Sequence, residues 1–189
     1  MDPVQMLKED HQKVQALFQQ FEEAKDSPER MKAISDAAIM ELQIHTMLEE
    51  ELFYPAMRRG QETEEILNEA EEEHHVVDLL IDEILKMRPQ DPHYPAKFTV
   101  LAENVKHHIR EEEGEMLPKA RQYLGARYEE LGDQMMERKQ KLLGQFDGRP
   151  RATNGSRSRS KASTGGRSSR ATSARSRTRS SSSSRSRSR

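Results

Sequence analysis

HTMLEEELFYP, residues 45–55, can be written above HIREEEGEMLP, residues 108–118, without a gap: histidine stands over histidine, glutamate over glutamate and proline over proline. The offset is 63 residues, and the same 63 residues separate His11 from His74, where DHQKVQALF lies over EHHVVDLLI. The chain therefore reads as two copies of one unit, each built from two segments. Within both copies apolar residues recur at spacings of three and four, as in Leu7, Val14, Leu17 and Phe21. Period-two alternation is absent and β-branched residues are sparse, so the segments are helices rather than strands.

Punctuation sets the helix ends. Asp2-Pro3 and Ser27-Pro28 each place a capping side chain before a proline at the first helical position. The first helix is expected to run to about Lys25 and the second to about Arg59-Gly60; a third runs from about Glu62 to Met87, before Pro89, Pro92 and Pro95. The fourth runs from about Ala96 to Tyr123 and is closed by Gly125. Short connections make successive helices antiparallel neighbours, so an all-α, up-down-up-down four-helix bundle is expected over residues 1–125. Residues 126–148 add a short amphipathic helix, about Tyr128 to Leu143, and a linker; this helix either packs across the bundle or frays from it.

Charge divides the chain again. Residues 1–148 carry eighteen Lys and Arg against all thirty-three Asp and Glu, a net charge of −15, whereas residues 149–189 carry thirteen basic and no acidic residues. This Ser/Arg-rich tail has no large apolar side chain with which to offset its ordering entropy, and it is expected to be disordered. Its natural partner is a polyanion, because each phosphate neutralised releases a counterion; without interleaved aromatic residues the binding would be nonspecific nucleic-acid binding. A solubilising tail, one folded back on the acidic bundle, and a phosphorylation substrate are the competing readings.

No cysteine is present, which excludes disulfides, iron–sulfur clusters and thiolate zinc sites. Any metal must be held by nitrogen and oxygen. The N-terminal MDPVQMLKED lacks the apolar stretch of a signal peptide, and no apolar run approaches the roughly 20 residues that cross a bilayer. A cytoplasmic protein without membrane partners is expected.

The inward stripes carry unexpected polarity. The first helix offers Leu7, His11, Val14, Leu17 or Phe18, and Phe21; the second Ala38, Leu42, His45, Glu49 and Leu52; the third Leu67, Ala70, His74, Val77, Ile81 and Ile84; the fourth Leu101, Val105, His108, Glu112 and Met116. Each copy thus supplies one histidine and a His-x-x-x-Glu pair, whose spacing places both side chains on one helix face. Two glutamates buried without partners would cost several kcal/mol each, and no lysine or arginine shares these stripes, so a pair of divalent metal ions fills the role. Imidazole and carboxylate donors without thiolate suit non-haem iron or manganese. Six protein donors leave coordination positions open for dioxygen, peroxide, nitric oxide or water.

The pattern His, His-x-x-x-Glu, His, His-x-x-x-Glu over four helices resembles the hemerythrin-like family of HHE cation-binding domains. The resemblance covers about residues 4–120. It implies a diiron four-helix bundle with iron ligands at His11, His45, Glu49, His74, His108 and Glu112, the two glutamates as bridges. It departs at one position: oxygen-carrying hemerythrins have a further histidine one turn after His74, where this chain has Asp78, duplicated as Gln15. That speaks against plain reversible oxygen carriage and leaves Asp78 as a ligand, a holder of water, or neither. His75 and His107 fall one position off the ligand face, His93 lies in the proline-rich connection, and Glu50, Glu51, Glu111 and Glu113 are expected on the solvated face. The function expected is binding or sensing of dioxygen, peroxide or nitric oxide, in oxidative or nitrosative stress or in iron response. The alternatives are a nucleic-acid-associated protein whose bundle protects or nicks the nucleic acid bound by the tail, and a structural bundle with ordinary core histidines, which the common offset disfavours.

Overall fold

Asp2 and Ser27 begin the first two helices as their sequence context requires. The Asp2 carboxylate accepts from the Gln5 amide at 3.0 Å and the Ser27 hydroxyl from the Arg30 amide at 3.4 Å, each ahead of a proline that needs no intrahelical partner. In this computed structural model, which describes residues 1–58 and 61–146, the helices are α1 (Pro3–Glu23), α2 (Pro28–Leu48), α3 (Tyr54–Met57), α4 (Gln61–Lys86), α5 (Tyr94–Glu111), α6 (Ala120–Leu124) and α7 (Tyr128–Phe146). The fold is all-helical. α1, α2, α4 and α5 form the four-helix bundle, with α1 against α2 and α4 against α5. The expected end of the second helix at Arg59-Gly60, and the tail from 149 onward, lie outside the described residues.

Two departures from regular α-helix recur at the repeat distance. Glu49–Phe53 and Glu112–Met116 are wide π-helical turns, continued by α3 in one copy and by a 3-10 turn, Leu117–Lys119, and α6 in the other. A π turn admits one extra residue, and such turns concentrate at functional sites. Beyond Glu49 the buried positions therefore move from the expected Leu52, which is only partly covered, to Phe53 and Tyr54, both fully buried. Pro95 opens α5 rather than breaking the chain before it, so that helix begins at Tyr94. Gly125, at φ 55°, ends α6 in a conformation that strongly favours glycine.

The C-terminal helix is longer than expected and does not fray. α7 packs on α1, α2 and the first π turn, burying Leu131, Met135, Leu142 and Phe146. Polar contacts fix its outer edge: Lys139 reaches Asp10, and Arg138 grips both oxygens of Glu51 at 2.7 and 2.9 Å. The chain start crosses α7 at Gly132, where an added Cβ would fall 1.8 Å from the Met1 carbonyl oxygen. The bundle core is in two apolar pieces. One, around Leu7, Leu48, Leu67 and Met135, adjoins α7; the other, around Phe21, Ile39, Ile81 and Phe98, lies toward the opposite end, and the histidines occur in sequence between the two.

Candidate metal centre

That polar belt is where the repeat becomes chemistry. His11, His45, Glu49, His74, His108 and Glu112 are all at most 5% exposed. All six singled out by the sequence are brought together. His11 Nε2 lies 3.2 Å from His45 Nε2, and His74 Nε2 lies 3.2 Å from His108 Nε2. The glutamates sit between these pairs: Glu49 Oε2 is 3.2 Å from His45 Nε2 and 3.4 Å from His74 Nε2, while Glu112 Oε2 is 3.3 Å from His11 Nε2 and 3.6 Å from His108 Nε2. Each carboxylate therefore touches one histidine of each pair.

The outer nitrogens are organised as well. His11 Nδ1 donates to Glu113 at 2.8 Å and His108 Nδ1 to Glu73 at 2.7 Å. Glu50 stands 3.4 Å from His74 Nδ1 and Asp10 stands 3.8 Å from His45 Nδ1, as longer ion-pair contacts. All four imidazoles thus face a carboxylate on one side and the centre on the other, which turns their Nε2 lone pairs inward. These four acids also obey the 63-residue offset: Asp10 pairs with Glu73 and Glu50 with Glu113. Carboxylates that orient the imidazoles are expected from the sequence but not singled out by it, and Glu50 and Glu113, both expected on the solvated face, each stand behind a histidine instead. The signal was present, as an acid before the first histidine of each copy and another after its glutamate.

Lone pairs pointed at one another are unfavourable unless something positive lies between them. The surrounding carboxylates favour a proton on one histidine of each pair. Burial opposes charge on His45, but Glu49 and Asp10 outweigh it and hold His45 up to about 10; His74, likewise opposed by burial, is held up to about 9 by Glu49 and Glu50. Burial pushes the Glu49 carboxyl up, yet His45 and His74 bring it well below the ordinary range. Even so, Glu49 Oε1 and Glu112 Oε2 remain buried without a hydrogen bond. A donor set of four inward imidazoles and two shared, under-satisfied carboxylates fits bound metal cations, and its donor atoms fall into two overlapping groups. One comprises His11, His45, Glu49 and Glu112, and the other Glu49, His74 and His108.

A seventh polar group enters through the π turn. The Tyr54 hydroxyl donates to Glu112 Oε1 at 3.1 Å and lies 3.4 Å from Glu49 Oε2 and 3.5 Å from His74 Nε2. Burial, then Glu112 and Glu49, raise its pKa well above the usual phenol value, so it remains a proton donor. Its counterpart in the second copy is Leu117, which carries no hydroxyl, so the two halves differ here. Asp78 is not among the converging groups; burial and Glu50 push its carboxyl up. His75 is exposed and His93 caps α5 by position, without a side-chain bond.

A cavity of about 20 Å³ is faced by all four histidines and Asp10 together with apolar residues such as Val77 and Val105. It has room for about one water-sized molecule.

A buried belt of histidine and glutamate, duplicated across a four-helix bundle, is the architecture of a helical cation-binding domain. The hemerythrin HHE cation-binding domain matches residues 2–120, and the chain belongs to that family. An uncharacterised protein of Mycobacterium tuberculosis and another of Mycobacterium bovis are each 30% identical over 146 residues, 76% of this chain and 89% of theirs. A DNA nickase of Nostoc is 27% identical over 124 residues, which cover 64% of this chain but only 34% of that protein. Among solved structures, an HHE domain-containing protein of Mycobacterium kansasii superposes with a TM-score of 0.67 at 28% identity, over 77% of this chain and 89% of that one. The family model ends before α7, whereas these mycobacterial likenesses extend over enough of the chain to include part of it.

Proposed function

We propose that the chain holds two iron ions between His11, His45, His74 and His108, bridged by Glu49 and Glu112, and presents them to dioxygen, peroxide or nitric oxide. The observation that carries this reading is the sharing of both carboxylates between the two histidine pairs, an arrangement suited to two ions rather than one. Nitrogen and oxygen donors without sulfur suit iron, with manganese as the alternative. Bound iron supplies reversible electron transfer and positions at which a small molecule can bind.

The chain's own residues set the conditions. The apolar cavity favours an uncharged diatomic molecule over an ion. The Tyr54 hydroxyl holds a proton beside both carboxylates. Glu113 and Glu73 fix two imidazoles by hydrogen bonds, and Glu50 and Asp10 stand behind the other two at longer range. Such a centre suits a cytoplasmic sensor or scavenger acting in oxidative or nitrosative stress or in iron response. Metal analysis together with aerobic and anaerobic absorption spectra tests the reading: about two irons per chain, with near-ultraviolet bands that change on exposure to a small ligand, are expected. A normally folded protein that retains no metal would refute it.

A second reading is favoured by the thirteen positive charges of residues 149–189 and by the likeness to a DNA nickase. Here the tail brings the bundle to DNA or RNA, which the bundle protects or nicks. Gel shifts across a salt series should show binding by the full chain that weakens with salt and disappears without residues 149–189; salt-independent binding by the truncated protein would refute it.

A further inference from the structure

We propose that Glu73, His107 and Glu111 form a separate, outer station for a divalent cation at the mouth of an acidic cleft, through which metal reaches the buried centre. The inference rests on the metal-centre reading above and adds a route and a site to it. His107 Nε2 lies 3.1 Å from Glu111 Oε1 and 3.6 Å from Glu73 Oε1, so one imidazole nitrogen and two carboxylates converge at the surface. The other oxygen of Glu73 accepts from His108 Nδ1 at 2.7 Å. One carboxylate therefore joins the outer station to an inner histidine.

Beside it opens a cleft of about 70 Å³ lined by Glu69, Glu73, Glu111 and Glu115, by the buried His108 and Glu112, and by three apolar side chains. No lysine or arginine is among the described residues that line it, and the one guanidinium near the station, Arg110, stands 3.5 Å from His107 Nδ1, the nitrogen that does not face the carboxylates. Glu69 and Glu73 are one turn apart on α4, an unfavourable like-charge spacing that a cation would relieve. Exposure falls steadily along the path: the side chains of His107, Glu111 and Glu73 are 55%, 41% and 20% exposed, and those of His108 and Glu112 only 6% and 1%. At the inner end, the buried Glu112 Oε2 has no hydrogen bond. An unsatisfied carboxylate oxygen at the end of an acid-lined cleft is a destination for a cation. The cleft has room for several waters, so an ion can enter partly hydrated and exchange water for protein oxygen as it moves inward. The second cavity, lined largely by apolar side chains, has one carboxylate on its wall, Asp10, against five in the cleft.

The test is stopped-flow mixing of the full-length, metal-stripped protein with Co²⁺, whose visible bands report coordination by histidine. His107→Ala/Glu111→Gln alters exposed side chains and spares the inner donors, and Glu69→Gln/Glu115→Gln alters the walls. Each pair is expected to slow loading about tenfold and to flatten its dependence on salt, within the range that electrostatic steering commands, while final content stays at two ions with unchanged bands. Loading by both variants at the wild-type rate would overturn the outer station and leave the buried centre standing. Failure of the wild-type protein to develop histidine-coordinated Co²⁺ bands would overturn the buried centre and the route together.

Discussion

Glu113→Gln isolates what the carboxylates behind the histidines contribute. Glu113 Oε1 accepts from His11 Nδ1 at 2.8 Å, and its side chain is 37% exposed. Glutamine keeps the size and an acceptor oxygen but removes the charge that makes Nε2 more basic. Loss of such an outer partner typically costs 10–100-fold in metal affinity, or about 1.4–2.7 kcal/mol; partial solvent screening at Glu113 places the expected loss near the lower end, roughly tenfold. Competition between the protein and a chelator of known affinity measures it, with Co²⁺ as the ion and urea unfolding of the metal-free protein as the check on folding. Glu51→Gln is the control: Glu51 belongs to the other three-glutamate run but pairs with Arg138 at the surface, and its loss should leave metal affinity unchanged. Wild-type affinity in folded Glu113→Gln, or an equal loss in Glu51→Gln, would refute the reasoning.

Tyr54→Phe keeps the ring and removes the donor to Glu112, so urea unfolding should show the metal-free protein destabilised by about 1.5–3 kcal/mol, the range for a hydrogen bond to a charged group, and metal should restore part of the loss. At pH 7.5, metal binding should displace about two protons per chain, from His45 and His74, seen by calorimetry in buffers of different ionisation enthalpy; no release would contradict it. Their folded pKa values, about 10 and about 9, exceed the ordinary 6.5. The stability they give the metal-free protein is therefore complete below pH 6.5 and is lost as the pH rises through 9 and 10. Lys139→Met should cost about 1.5–3 kcal/mol by leaving the buried Asp10 carboxylate without its ammonium partner, and in an Asp10→Asn background the same change should cost little.

The fold and the six central residues were legible because they obey periodicities. Helical spacing places a side chain on a face, and the 63-residue offset turns weak single-residue signals into a paired pattern. The same offset would have corrected one error. Leu52 and Met116 were placed as equivalent ends of two stripes, yet Leu52 lies over Glu115 and Phe53 over Met116. Each copy has a π turn where regular spacing predicts an ideal helix, and its extra residue advances everything after Glu49 by one position. That advance carries Tyr54 into the centre, and no spacing rule for a regular helix would have put it there.

The sequence by itself determined an all-helical, duplicated architecture, the inward face of each helix and a donor set without sulfur, because these follow from residue type and local spacing. Only the tertiary structure decided which carboxylate meets which imidazole, since Glu113 reaches His11 from a distance of 102 residues and the pairing depends on how four helices are juxtaposed. It also decided the fate of α7, whose amphipathic pattern was equally compatible with packing and fraying. Burial of Met135, Leu142 and Phe146, with Lys139 reaching Asp10, ties that helix to the polar belt through contacts that no local pattern contains.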